Sequence, residues 1–133
     1  LQVDKVDFDE IAKTSDFLVI LCDLNEKTKG MINSSFLGKM KKSSYLINLS
    51  RGPVVNENDL IISLKQKQIA GAGLDVMTNE PIEENNELQN LKNTILTPHS
   101  LCWTDECFNS IATEAISSIL NYYNKNSILN RVV

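Results

Sequence analysis

Four side chains in this 133-residue sequence have the types needed for acid–base and anion chemistry: Arg51, Asp75, Glu80 and His99. His99 is the only histidine, and Arg51 and Arg131 are the only arginines among 13 basic residues. A histidine held by a carboxylate is a general acid, because the carboxylate fixes the ring and favours its protonated form. An arginine offers a planar fork that matches a substrate carboxylate. Together these groups suit reduction of a 2-oxo acid, with Arg51 holding the acid and His99 protonating the oxygen. Each also has a plainer reading. A histidine after proline can be an ordinary loop residue, and Arg51 can cap a carbonyl or pair with Glu57. Asp75 can cap a turn, and Glu80 can be a solvated loop charge. Structural ion pairs perturb titrating groups as functional ones do.

The elements that must position them are short apolar runs separated by amphipathic stretches. Phe17–Cys22, Tyr45–Leu49, Ile69–Leu74 and Thr94–Thr97 read as strands. Runs apolar on both faces suit a parallel sheet covered by helices on each side. Phe8, Ile11 and Ala12 share the face of a short first helix. Ser34 or Ser35 is expected to cap a second, with Phe36, Leu37 and Met40 turned inward. Asn56 caps a third, with Glu57 and Asp59 in its first turn and Leu60, Ile61 and Leu64 facing the sheet. The last helix starts at Thr104 and repeats apolar residues from Phe108 to Tyr123 at helical spacing. Thr78–Lys92 reads as a polar loop around Glu80-Pro81. The expected fold is α/β, a partial Rossmann-like doubly wound parallel sheet ending in a long C-terminal helix. Strand C-termini then share one edge, the edge where such sheets bind ligands. Ser50-Arg51, Asp75 and Pro98-His99 all follow strands, so the candidate groups converge there.

Composition narrows the function classes. Hydrophobic residues make up 42% and charged residues 23%, values of a globular chain rather than a disordered one. A net charge of -4 and the lack of a basic cluster beyond Lys39-Met40-Lys41-Lys42 argue against nucleic acid as a partner. Phe17–Cys22 is too short to span a bilayer, and no secretory signal opens the chain. Three cysteines, Cys22, Cys102 and Cys107, without a C-x-x-C pair point away from a disulfide framework or a metal site and toward the cytoplasm. Cys102 and Cys107 read as packed thiols, since nothing basic flanks them. Trp103 reads as core packing at the start of the last helix.

Three stretches carry a resemblance. Ile47-Asn48-Leu49-Ser50-Arg51-Gly52-Pro53-Val54-Val55-Asn56-Glu57-Asn58-Asp59-Leu60 resembles the signature of the D-isomer-specific 2-hydroxyacid dehydrogenases. So does Ala70-Gly71-Ala72-Gly73-Leu74-Asp75-Val76 followed by Glu80-Pro81, and so does Asn93-Thr94-Ile95-Leu96-Thr97-Pro98-His99. The earlier Ser15-Asp16-Phe17 through Leu24, Thr28, Gly30 and Ile32 is similar to the family's preceding segment. The resemblance covers nearly the whole chain in the right order. It implies a parent oxidoreductase moving a hydride between NAD, or NADP, and a small 2-oxo or 2-hydroxy acid. It implies Arg51 as the substrate-carboxylate arginine, His99 as general acid and base, and Glu80 as the residue that orients it. It implies Asp75 at the nicotinamide carboxamide, with Cys22, Asp23, Leu49, Ser50, Arg51 and His99 also lining the cofactor.

Two positions depart from the family pattern. Asp23 stands where the family often has proline, and a carboxylate there disfavours the added phosphate of NADP. Ser100-Leu101-Cys102-Trp103 stands where many members have two glycines after the histidine. The dinucleotide fingerprint G-x-G-x-x-G is absent from the sequence, and Gly71-Ala72-Gly73 does not supply it. The chain opens on Leu1 rather than Met. It therefore reads as the C-terminal part of a dinucleotide-binding domain over 1–103, with a helix and tail over 104–133 that pack on a missing substrate domain. The isolated chain is expected to be inactive, and the full protein to be a homodimer. The same three side chains occur in dehydrogenase-related transcriptional corepressors, so a non-catalytic NAD-linked binding protein is the alternative. A third reading, an unrelated doubly wound module, predicts that His99 and Glu80 lie far apart.

Overall fold

The structure is a computed structural model, and it describes residues 4–128. Leu1 and Arg131 lie outside the described residues. The chain divides into a unit ending at His99 and a unit starting at Ser100.

The first unit is built on four strands, β1 (Phe17–Ile20), β2 (Tyr45–Asn48), β3 (Gly71–Leu74) and β4 (Thr94–Leu96). All neighbours pair in parallel, in the order β1-β2-β3-β4. The register is unbroken: Leu18 pairs Leu46, Leu46 pairs Ala72, and Ala72 pairs Thr94. Three helices accompany the sheet: α1 (Phe8–Thr14), α2 (Ser34–Leu37) and α3 (Glu57–Lys65). Asp7 caps α1, its carboxylate accepting from Glu10 N–H at 2.7 Å. Asn56 caps α3 as expected, accepting from Asp59 N–H at 3.2 Å. The cap of α2 is Asn33, accepting from Phe36 N–H at 3.2 Å, rather than Ser34 or Ser35. An Asn side chain is as good a cap as Ser, and Ser34 and Ser35 are taken up in the helix itself.

Period-two alternation separates the two sheet faces. Ile20, Leu46, Ala72 and Leu74 are buried with Phe36, Leu37, Met40, Leu60, Ile61 and Leu64 in one core. Each such leucine removed from water contributes about 1.5–3 kcal/mol. The opposite face carries Phe17, Val19, Tyr45 and Ile95, all exposed. Phe17 and Tyr45 stack there with ring centroids 5.5 Å apart. The strand order explains the asymmetry. Right-handed crossovers that always step the same way lay their helices on one face, and covering the second face needs a reversal of order. No reversal occurs within these four strands.

The loops beyond the strand ends are laced to one another. Gly30 N–H donates to the Pro53 carbonyl at 2.8 Å, and Asn56 N–H to the Ile32 carbonyl at 2.8 Å. Gly30 adopts a left-handed φ of 63°, which glycine takes without a Cβ penalty. The stretch 78–92, read as a polar loop, contains a 3-10 turn over Glu87–Asn90 that buries Leu88 in the core. The second unit contains α4 (Asp105–Tyr123), capped by the Thr104 hydroxyl, which accepts from Cys107 N–H at 3.2 Å. No residue of α4 is buried. Trp103 is exposed as well, so the expected core packing is not found.

Candidate active site

Because all four strands run in parallel, their C-terminal ends define one edge, and every candidate side chain follows one of them. Cys22 and Asp23 follow β1, Leu49-Ser50-Arg51 follow β2, Asp75 follows β3, and Thr97-Pro98-His99 follow β4.

The turn after β2 is organised by a buried amide. Asn48 accepts from Ser50 N–H at 3.1 Å and from the Ser50 hydroxyl at 3.0 Å. Its own Nδ2 donates to the Arg51 carbonyl at 3.0 Å. One side chain thus closes the Ser50-Arg51 turn, and its amide hydrogen-bonds at both the oxygen and the nitrogen. Arg51 is exposed, and its Nη1 donates to the Ser50 carbonyl at 2.7 Å. It therefore does cap a carbonyl. It does not engage Glu57, whose carboxylate instead accepts from Thr78 N–H at 3.2 Å and from Asn86 Nδ2 at 2.7 Å.

Asp75 is only 6% exposed. It accepts from the Thr97 hydroxyl at 2.5 Å, which ties the end of β3 to the end of β4. Two residues on, His99 N–H donates to the Thr97 carbonyl at 3.0 Å across Pro98. His99 itself holds φ at 53°, a left-handed conformation uncommon for a residue with a Cβ. From there its Nδ1 lies 2.7 Å from Glu80 Oε2. The other carboxylate oxygen, Oε1, accepts from Met77 N–H at 2.9 Å. The His99 ring bond is the largest influence holding the Glu80 carboxyl below the ordinary value. Burial opposes it, while the Met77 N–H and the charges of His99 and Arg51 add to it. An ionised Glu80 accepts at Nδ1, which makes that nitrogen the donor and leaves Nε2 for a second partner.

Asp75, Glu80, Thr97 and His99 share the wall of a cavity of about 410 Å³. Met77, Ile82 and Leu96 contribute to its apolar part, with Pro81 and Pro98. The site thus brings His99 and Glu80 into contact, places Arg51 close enough for its charge to act on Glu80, and sets Asp75 beside them. The reading as an unrelated module required His99 and Glu80 to be far apart, and they are not. Cys22, Asp23, Leu49 and Ser50 lie along the same edge. Asp23 accepts from Asn25 Nδ2 at 2.7 Å, and its carbonyl accepts from the Thr28 hydroxyl at 2.7 Å. Polar bonds of these residues therefore shape the loop where the family often has proline. Asn48 and Thr97 were not legible as site residues. Their signal was positional, a polar residue at the end of an apolar strand.

Residues 1–100 match the family model described as D-isomer specific 2-hydroxyacid dehydrogenase, NAD binding domain. The chain belongs to this family. A glyoxylate reductase/hydroxypyruvate reductase of Homo sapiens is 40% identical over 119 residues, covering 90% of this chain and 36% of the human protein. The NAD-complexed D-isomer specific 2-hydroxyacid dehydrogenase of Lactobacillus delbrueckii ssp. bulgaricus superposes with a TM-score of 0.83 at 28% identity, over 96% of this chain and 43% of that one. An acyclic imino acid reductase in complex with NADPH and D-Arg gives a TM-score of 0.87 at 32% identity, over 96% of this chain and 40% of that one. The chain spans little more than a third of the length of the curated relatives it matches. The family's domain is NAD-binding, and solved neighbours hold NAD or NADPH. Among the described residues no helix is long and apolar enough to cross a membrane.

Proposed function

We propose that residues 1–103 are the C-terminal part of a dinucleotide-binding domain in an oxidoreductase acting on a small 2-oxo or 2-hydroxy acid. Residues 104–133 are the helix and tail that pack on its substrate domain. The observation that carries the reading is the 2.7 Å contact between His99 Nδ1 and Glu80 Oε2, with Glu80 anchored a second time by Met77 N–H. A histidine so held has one nitrogen committed to orientation and the other available for a proton.

The roles follow from the chemistry of each group. Arg51 pairs with the substrate carboxylate, and His99 gives its proton to the carbonyl oxygen in reduction and takes it back in oxidation. Glu80 fixes the ring and balances its charge. The residues present fit the nicotinamide end of the cofactor. Asp75 supplies a carboxylate acceptor for a carboxamide NH₂, and the exposed Leu21, Leu24 and Leu49 supply apolar surface beside Cys22, Asp23 and Ser50. When bound, the reduced nicotinamide supplies the hydride. Asp23 favours NAD over NADP through its charge. The sequence holds no G-x-G-x-x-G cradle for the pyrophosphate, so the 133 residues alone are expected to show no turnover. The parent is proposed to be a cytoplasmic homodimer.

The test joins residues 1–133 to the N-terminal part of the human glyoxylate reductase/hydroxypyruvate reductase and follows NADH oxidation with glyoxylate and hydroxypyruvate. Reduction should appear, and His99→Asn should lower kcat by roughly 10²–10⁴-fold. Arg51→Ala should raise KM for the acid. Turnover indifferent to His99→Asn would refute the assignment. A folded, cofactor-binding chimera without turnover would favour the corepressor-like binding reading.

A further inference from the structure

The loop that carries Glu80 is held from outside the site by a second carboxylate. Glu57 opens α3, directly after the Asn56 cap, and is half-buried. An acidic residue there complements the positive end of a helix by charge alone. Glu57 does more, because each of its oxygens reaches across to the loop. Oε2 accepts from Thr78 N–H at 3.2 Å, and Oε1 accepts from Asn86 Nδ2 at 2.7 Å. Asn86 in turn accepts from Leu88 N–H at 2.9 Å, and Leu88 is fully buried. The two attachment points, Thr78 and Asn86, flank Glu80, Pro81 and Ile82, which line the cavity beside His99. Successive amides at the start of the loop face two carboxylates: Met77 N–H donates to Glu80 and Thr78 N–H to Glu57. The loop is thereby tied to α3, whose Leu60, Ile61 and Leu64 are packed in the core.

We propose that Glu57 is a positioning residue for the acid–base pair: it fixes the 78–86 loop to α3 and so sets where Glu80 meets His99. Its importance for turnover rests on the proposed catalytic role of His99, while its effect on the ring does not. Glu57 does not line the cavity, so it acts through the loop. The chemistry suits the task. A loop outside the sheet keeps one position only if its backbone polar groups are bound. Reacting groups need their places fixed to within about 0.5 Å by such surrounding bonds. An ionised carboxylate accepts two hydrogen bonds at once, and each is stronger than a neutral one. Gln at this position keeps one acceptor oxygen and turns an NH₂ toward the other donor. Ala keeps no acceptor.

The experiment reads the ring directly. His99 is the only histidine, so its two ring nitrogens give one pair of signals in nitrogen NMR. Glu80 at Nδ1 selects the neutral tautomer with its proton on Nδ1. The first arm measures the tautomer ratio in the 133-residue chain at a pH where the ring is neutral. Glu57→Ala should shift the ratio toward the Nε2–H form by about tenfold, as Glu80→Ala should. Glu57→Gln should fall between, and it keeps the test decisive where the Ala variant does not fold. Met40→Ala, a core change outside α3 and the loop, should leave the wild-type ratio. The second arm uses the chimera with the human N-terminal part. There Glu57→Ala should lower kcat by roughly 10–10²-fold and leave KM for the acid nearly unchanged. A wild-type ratio in the Glu57 variants would overturn the proposal. So would an equal shift in Met40→Ala, since any loosening of the fold would then suffice. Turnover that needs His99 but not Glu57 would overturn it as well. A shifted ratio with turnover indifferent to both Glu57→Ala and His99→Asn would uphold the positioning of the ring and refute the catalytic role of His99.

Discussion

A Cβ placed on Gly52 would stand 1.9 Å from the Met77 carbonyl oxygen and 2.5 Å from Thr78 N. The turn that carries Arg51 and the loop that carries Glu80 therefore touch backbone to backbone, and only a residue without a side chain fits between them. Met77 N–H holds Glu80, so the same contact reaches the carboxylate that holds His99. Gly52→Ala should force the two loops apart and cost about 3 kcal/mol, at the upper end of overpacking effects. Urea unfolding checks the loss. An unchanged midpoint would mean that the loops can separate freely, and that their contact does not set the site.

Asn48 is buried, and its side chain hydrogen-bonds to Ser50 and Arg51 of the following turn. Asn48→Ala leaves the Ser50 N–H and the Arg51 carbonyl without this partner. The expected cost is about 2–3 kcal/mol. In the active chimera the same change should raise KM more than it lowers kcat, because it displaces Arg51 rather than His99. A kcat loss at unchanged KM would contradict that placement.

Glu80 has a lowered pKa, and the direction of its pH effect follows. A carboxyl with a depressed folded pKa adds stability that is fully present above its unfolded value. That stability is lost as pH falls through the folded value. The stability gap between wild type and Glu80→Gln should therefore be constant on the alkaline side of the ordinary carboxylate range and shrink on the acid side. Urea midpoints for the two proteins across that range give the answer. A gap that widens on acidification would reverse the sign and refute the pairing.

Asp9 accepts from Lys13 at 2.8 Å and also pairs with Lys39. These two bonds hold its pKa at about 2, against an ordinary value of 3.8. Its contribution is present above the ordinary value and fades between there and about 2. Carboxyl-carbon NMR titration should show this, and Lys39→Ala should move the midpoint upward. No movement would leave Lys13 as the sole cause.

Phe17, Val19, Tyr45 and Ile95 form an exposed apolar sheet face, and α4 exposes Phe108, Ile111, Ile116 and Ile119. Apolar surfaces of this kind drive association. Light scattering on the 133-residue chain should show mass rising with concentration, and Ile95→Lys should reduce the effect. A stable monomer at high concentration would contradict it.

The strands, the α3 and α4 caps and the convergence of Arg51, Asp75, Glu80 and His99 were legible because apolar runs and cap residues encode them locally. The α2 cap went to Asn33 because neighbouring serines offered an equally good signal. Thr97 escaped notice because its partner Asp75 follows another strand, and pairing of that kind is written in the register rather than in the residue. The Asn48 side chain bonds only two and three residues on, but a polar residue closing an apolar run reads simply as the end of a strand. Leu88 was read with a polar loop because a single buried leucine has no period. The uncovered sheet face follows from strand order, which an apolar run does not reveal.

The even stepping of the sheet bears on how it assembles. Partners such as Phe17 and Tyr45, Tyr45 and Gly71, and Ala72 and Thr94 are each separated by roughly two dozen residues. The entropy of loop closure changes only slowly with length, so no strand pair has a head start from chain connectivity. The sequence of events during folding then rests on side-chain burial, which is densest on β2 and β3. Growth outward from that central pair would leave β1 and β4, the strands that carry Cys22 and His99 at their ends, as the last to dock.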